Sequence, residues 1–255
     1  MELGLRGKVA IVTGSSRGIG RSIALCLAEE GCRVTLAARH EGPLMQVAEE
    51  ARARGGEPLV VAADLTQVDG VDQVVRHTVD AFGRVDVLVN NLGGGRGGLF
   101  TETPDEDYGE TLGINLFPSI RFSRAVVPLM QQQGGGTIVN IASIWGREAG
   151  GKIAYNVAKA AVISLTKQMA RELAPFRIRV NSVAPGSIIF PGGSWDRRRQ
   201  ADPGGMAEFE RRELPMGFGR PEDVANVVVF LASGRAAHVS GACWVVDGVQ
   251  GHSNI

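Results

Sequence analysis

Val9-Ala10-Ile11-Val12-Thr13-Gly14-Ser15-Ser16-Arg17-Gly18-Ile19-Gly20 is the stretch that decides the fold. Its first four residues are apolar and β-rich with no polar alternation. That pattern predicts a strand covered on both faces, as in a parallel sheet. A glycine-rich turn follows at once, and a helical pattern opens over residues 21–30. Strand, glycine-rich turn and helix together form a dinucleotide-binding arrangement. Gly14 permits the tight turn, Gly18 lets a pyrophosphate approach the backbone, and Gly20 lets the helix pack on the strand. The helix N-terminus then offers amide donors and its dipole to phosphates.

The same alternation continues outward from this stretch. Strands are predicted at 33–38, 58–62, 85–89, 137–141, 177–183 and 242–247. Helices are predicted at 43–54, 71–82, 106–132, 152–174 and 221–232. Gly113, Pro118 and Pro128 interrupt the third of these, and a kink is expected there. Repeated βα units predict an α/β fold, a doubly wound parallel Rossmann sheet with helices on both faces. No internal repeat or linker divides residues 1–255, so a single domain is expected. Ligands bind such sheets at the carboxyl ends of the strands. The phosphate loop, Asn90-Asn91, Ser143 and Pro185-Gly186 all follow predicted strand ends.

Composition narrows the function. Basic and acidic residues balance, 27 against 27, which asks for neither nucleic acid nor an anionic membrane. Cys26, Cys32 and Cys243 have no metal or Cys-x-x-Cys spacing, so no metal site is suggested. Scattered thiols suit a reducing compartment, and a cytoplasmic location is expected. No apolar signal segment opens the chain, and no apolar run nears the roughly 20 residues that span a bilayer.

The second strand bears on cofactor choice. NAD sites of this type place a carboxylate near its end for the ribose 2′-hydroxyl. Ala38 offers none there, Arg39 comes next, and Arg17 sits in the phosphate loop. Two guanidinium groups suit a 2′-phosphate. NADP(H) is therefore expected over NAD(H).

Tyr155-Asn156-Val157-Ala158-Lys159 carries the reaction chemistry. On a helix Tyr155 and Lys159 share a face. A neighbouring ammonium is expected to lower the phenol pKa and fit it for proton exchange with a substrate oxygen.

With Thr13-Gly14-x-x-x-Gly18-Ile19-Gly20, Asp64, Asn90-Asn91-x-Gly93, Asn115, Ser143, Tyr155-x-x-x-Lys159 and Pro185-Gly186, the chain resembles the short-chain dehydrogenase/reductase family over nearly its whole length. Its layout is most similar to that of 3-oxoacyl-carrier-protein reductases. The resemblance implies hydride transfer between a nicotinamide cofactor and a carbonyl or secondary alcohol. It implies Tyr155 as acid/base, Ser143 as donor to the substrate oxygen, Lys159 on the nicotinamide ribose, and Asn115 holding a water that links Lys159 to solvent. Asp64 would meet the adenine, and Asn90 would lie beside the cofactor and brace the sheet. The implied cofactor contacts are Gly14, Ser16, Arg17, Gly18, Ile19, Gly20, Arg39, Asp64, Leu65, Asn91, Gly93, Tyr155, Lys159, Pro185, Gly186 and Ile188. A homo-oligomer, dimer or tetramer, is also implied, through the helices holding Asn115 and Tyr155. Ala158, Ala160 and Ala161 would allow close approach there, and Val157 and Val162 would add apolar surface.

Three features depart from the family pattern. Leu92 replaces the usual alanine ahead of Gly93, and the glycine-rich run to Gly98 is expected to be mobile. Phe190 stands where many relatives carry a threonine that contacts the nicotinamide carboxamide. Residues 187–220, where the family carries its substrate lid, lack clear periodicity. They combine Ile188, Trp195, Met206 and Phe209 with Arg197-Arg198-Arg199, and the apolar set suits an apolar substrate or a packed lid. The arginines fit either an anionic handle or the solvated face of a short helix. The rival functions are an NAD-linked dehydrogenase of a cyclic or steroid-like alcohol, and a noncatalytic cofactor sensor on the same fold.

Overall fold

In a computed structural model, which describes residues 2–254, seven parallel strands form one sheet in the order β3-β2-β1-β4-β5-β6-β7. The strands are β1 (Val9–Thr13), β2 (Arg33–Ala38), β3 (Glu57–Ala62), β4 (Val87–Asn90), β5 (Gly136–Ile141), β6 (Ile178–Pro185) and β7 (Cys243–Val246). The order reverses between β1 and β4, which makes a crevice at their carboxyl ends. The terminal residues of the expected 1–255 domain, Met1 and Ile255, lie outside the described residues.

Alternate strand residues point to opposite faces, and each face builds its own core. Ala10 and Val12 of β1 face α1 (Gly18–Glu29) and α9 (Pro221–Ala232), packing with Ile23, Leu27, Val224 and Val228. Leu44 and Val47 of α2 (Glu41–Ala53) complete that layer. Ile11 faces the other way, with Leu88 and Ile138, against α3 (Val68–Phe82) and α5 (Phe117–Gln132), where Val74, Phe122 and Val126 lie. Ala170 and Leu173 of α6 (Ile153–Leu173) close that side. Burial on both faces is why the strands read as continuous apolar runs.

Boundaries differ from expectation where backbone chemistry intervenes. The predicted helix over 106–132 is two helices, α4 (Asp105–Asn115) and α5, separated at Leu116. Pro118 cannot donate a helical hydrogen bond, so it is accommodated in the first turn of α5. Pro128 lies inside α5. Strand β6 starts one residue later than predicted because Arg177 adopts φ 58°, a left-handed turn. The aperiodic 187–220 segment holds two short helices, α7 (Ser194–Ala201) and α8 (Pro203–Glu213). Their inner faces meet through Trp195, whose ring stacks on Phe209 at 4.9 Å and lies 5.6 Å from Phe218. No helix among the described residues is long and apolar enough to cross a membrane.

Candidate active site

The phosphate loop is held by its neighbours through Gly14 and Ser15 and leaves the amides beyond them to an anion. Gly14 N–H donates to the Ala37 carbonyl at 2.8 Å, and Ser15 Oγ accepts from Ala37 N–H at 2.9 Å. Asn91 Nδ2 donates to the carbonyls of Thr13 and Gly14 at 3.0 and 3.1 Å. Thr13 Oγ1 accepts from Asn91 N–H at 2.9 Å. Asn91 thus braces the loop from β4, and Ser15, which the sequence reading passed over for Ser16, ties it to β2. Gly14 and Gly18 have φ 65° and 55°, a region other residues adopt only with strain. No side chain caps α1, and its first turn holds no acid. Unspent amides, a helix dipole and side-chain-free glycines fit a pyrophosphate. The part-buried Ser16 and Ile19 border this cradle. Phe190, at the position of the usual threonine, lays its ring on the loop, so that a Cβ on Gly18 would fall 2.5 Å from Phe190 Cζ.

The residues expected at the adenine end are placed unevenly. Ala38 closes β2 without a carboxylate, and Arg39 is exposed beyond it. Asp64 is exposed too, and both Thr66 Oγ1 and Thr66 N–H donate to it. Those bonds, Thr66 hydroxyl first, hold its carboxyl below the usual range, with Arg39 adding to the effect. Leu65 is buried in the core, so its side chain is not available to a nucleotide. Arg17 bends toward the lid, with Nη1 3.5 Å from the Gly192 carbonyl, so the two arginines do not form a joined pair here. Asn90 braces the sheet as expected. It is buried and donates to Asn140 Oδ1 at 2.8 Å, bracing β4 on β5.

Ser143, Tyr155 and Lys159 converge at the carboxyl ends of β5 and β6. Ser143 follows β5, and its Oγ accepts from Trp145 N–H at 3.2 Å, which leaves its own hydrogen to be donated. Tyr155 and Lys159 lie one turn apart on α6, with Lys159 Nζ 5.5 Å from the phenol ring centroid. Lys159 is 2% exposed and donates to the Ile141 carbonyl at 2.7 Å. Burial pushes its ammonium down to about 8. Burial also pushes the Tyr155 phenol up to about 12, with the Ser143 hydroxyl pulling the other way. The expected lowering of the tyrosine is therefore not found in the ligand-free protein. Loss of solvent outweighs the hydrogen bond from Ser143.

Asn115 is buried at the end of α4. Its Nδ2 donates to the Thr111 and Gly94 carbonyls, and its Oδ1 accepts from Gly94 N–H at 3.3 Å. It clamps the glycine run. That run is tied at further points, by Thr111 Oγ1 to Arg96 N–H, by Thr103 Oγ1 to Gly98 N–H and by the Arg96–Glu110 ion pair. A Cβ on Gly93 would lie 2.9 Å from Asn115 Oδ1 and 3.2 Å from Lys159 Nζ. Only glycine fits between them.

At the exit of β6, Gly186 N–H donates to the Val246 carbonyl at 3.0 Å. Pro185 ends the strand, and Ile188 buries its side chain under Gly219. The arginine run lies exposed on α7. Arg198 lies over Trp195 and Arg199 over Phe218, each 4.9 Å from the ring centroid, and Arg199 pairs with Glu210 at 3.3 Å. All three arginines are exposed, which fits the solvated face of a short helix, and cation–π contacts add to it.

A family profile described as "Enoyl-(Acyl carrier protein) reductase" matches residues 14–249. The 3-oxoacyl-(acyl-carrier-protein) reductase of Thermotoga maritima is 37% identical over 96% of this chain and 98% of that protein. The (2S)-((R)-hydroxy(phenyl)methyl)succinyl-CoA dehydrogenase subunit of Thauera aromatica is 36% identical over 96% of this chain and 97% of that one. Among solved structures, L-sorbose reductase from Gluconobacter frateurii, complexed with NADPH and L-sorbose, superposes with a TM-score of 0.90 at 36% identity. It covers 97% of this chain and 98% of its own. The chain belongs to the short-chain dehydrogenase/reductase family, whose members are nicotinamide-dependent oxidoreductases acting on CH–OH and C=O groups.

Proposed function

We propose that the chain is an NADPH-dependent reductase of ketones on apolar acyl groups, with thioester-bound 3-oxoacyl chains as the leading substrate class. The observation that carries this is the convergence of the Ser143 hydroxyl, the Tyr155 phenol and the buried Lys159 ammonium at the carboxyl end of β5. A protonated phenol is a proton donor, which suits reduction. When bound, the cofactor supplies the hydride to the carbonyl carbon. Ser143 donates to the carbonyl oxygen, and negative charge building there is stabilised by both hydroxyls. Tyr155 gives that oxygen its proton, and Lys159, beside the ring, stabilises the phenolate left behind. The relatives of Thermotoga maritima and Thauera aromatica, named for thioester substrates, support the substrate class. The apolar surface at the same end of the sheet supports it too, with Leu99, Phe100 and Met216 all exposed. A ketose is the second reading, favoured by the sorbose reductase likeness.

The absent carboxylate at Ala38 and the exposed Arg39 support NADP(H) over NAD(H). The remaining sites follow the family roles: Gly14, Ser16, Gly18, Ile19 and Gly20 at the pyrophosphate, Asp64 and Leu65 at the adenine, and Gly93, Pro185, Gly186 and Ile188 at the nicotinamide half. Residues 1–255 act as one unit, in the cytoplasm, as a homo-oligomer. Val157 is 46% exposed on α6 and Phe117 44% on α5, which supports a self-association face. Ala158 and Val162, expected on that face, are instead buried within the subunit.

The test is NADPH oxidation with 3-oxoacyl thioesters, simple ketones and ketoses, by wild type and Tyr155→Phe. Thioesters should be preferred, and the variant should lose about 100-fold or more in turnover. A preference for ketoses installs the second reading. A Tyr155→Phe enzyme with near wild-type rate would remove the proton-donor role.

A further inference from the structure

We propose that Gln250 is a positioning residue for the nicotinamide half of the cofactor, acting through the backbone amide of Ser187. The inference rests on the nicotinamide reading above.

Gln250 lies beyond β7 yet is 5% exposed. Its Oε1 accepts from Ser187 N–H at 2.7 Å, across 63 residues of sequence. An N–H can only be accepted by the carbonyl end, so the bond fixes the orientation of the amide. Next to it, Gly186 has no room for a side chain. A Cβ there would fall 2.7 Å from both Gln250 Oε1 and Asp247 Cβ. On its other side Ser187 accepts from Gly219 N–H at 3.1 Å, and Ile189 N–H donates to the Gly219 carbonyl at 2.9 Å. The turn leaving β6 is therefore pinned between the lid base and Gln250.

The segment that delivers Gln250 is built for the purpose. Asp247 accepts from Val249 N–H at 3.0 Å and from Gly251 N–H at 2.8 Å. These bonds hold Val249 at φ 63°, a conformation unfavourable for a β-branched residue. Backbone strain of this kind persists where surrounding contacts over-determine it, and it clusters at functional sites. The next residue but two, His252, donates its N–H to the Glu148 carboxylate at 2.8 Å. The Glu148 carbonyl in turn accepts from Asn156 Nδ2 at 3.1 Å, beside Tyr155. One turn thus ties the β6 exit to the helix that carries the proton donor. Neither attachment touches the phosphate cradle, which lies on β1 and α1.

That separation gives the test. Binding of NADPH and of 2′,5′-ADP, which lacks the nicotinamide, is measured by calorimetry for wild type, Gln250→Leu, Gln250→Met and Gln250→Glu. Gln250→Leu and the near-isosteric Gln250→Met should weaken NADPH about tenfold, the loss of one hydrogen bond to a buried amide, and leave 2′,5′-ADP unchanged. Gln250→Glu keeps an acceptor for Ser187 and should restore NADPH binding. Equal weakening of both nucleotides makes Gln250 a merely structural residue and overturns the proposal. So does unchanged NADPH binding, or a Gln250→Glu protein as weak as Gln250→Leu. Wild-type protein that binds 2′,5′-ADP but not NADPH overturns the nicotinamide reading itself, which no variant is needed to see.

Discussion

Replacing Lys159 by Met should stabilise the ligand-free protein at neutral pH. The Lys159 ammonium is buried, and its fall from 10.5 to about 8 has desolvation as its cause. A drop of that size corresponds to about 3 kcal/mol of unfavourable burial at neutral pH. Methionine has similar length and no charge, so it removes that cost. It also removes the charged hydrogen bond to the Ile141 carbonyl, worth about 2 kcal/mol. The net gain is about 1 kcal/mol, or roughly 2–4 °C in Tm for a chain of this size. The pH dependence carries the diagnosis. Below about 8 the lysine is charged in folded and unfolded chains alike, and the full cost is present. Between about 8 and 10.5 the folded protein loses the proton first, so wild-type stability rises with pH. Above 10.5 both states are neutral and the advantage of the variant is gone. Denaturant melts of both proteins across that range test this, because other titrating groups cancel in the difference. A variant less stable than wild type at pH 7, or a difference that does not change with pH, refutes the account.

Three further outcomes are expected. Asp86 is buried, which raises its carboxyl, but Arg84, the Val9 N–H and Lys8 overcome this and hold it below 3.8. Its stabilisation is present above the unfolded value and lost as pH falls through the folded one. Asp86→Asn should therefore cost about 1 kcal/mol at pH 7 and less than that in acid melts below about pH 4. Val249→Gly removes a left-handed valine at roughly 1–2 kcal/mol and returns roughly 0.4–1 kcal/mol of unfolded-chain entropy. A small rise in Tm is expected, and a fall would show that φ 63° is not strained. Ala38→Asp should reverse the kcat/KM preference from NADP to NAD by placing a carboxylate at the end of β2, whereas an unchanged ratio would locate cofactor choice elsewhere.

Most of the sheet was legible because burial on both faces makes each strand a plain apolar run, as Val9–Thr13 shows with every residue buried. The phosphate loop was legible for a related reason. Gly14, Gly18 and Gly20 answer to local backbone needs, and these leave a mark in the residue type. The break at Leu116 was harder, since Gly113 and Pro118 signal an interruption without fixing which peptide leaves the helix. The lid was hardest among the elements. The contacts of α7 and α8 are ring on ring and guanidinium on ring, and neither follows a helical period of apolar residues.

The proton donor shows where residue type stops informing. Tyr155 beside Lys159 reads as a phenol lowered by a cation, and the spacing is right. The sign of the shift, however, is set by how much water both groups lose, which depends on Gly95 and the glycine run lying against Tyr155. Packing of that kind is made by segments 60 residues apart and leaves no trace in Tyr-x-x-x-Lys. Gln250 is hidden more completely. Its partner is a backbone N–H, which every residue but proline carries, so nothing at Ser187 announces the bond. Side-chain motifs report chemistry at the reacting atoms. The hydrogen bonds that aim those atoms run to the backbone, and only coordinates reveal them.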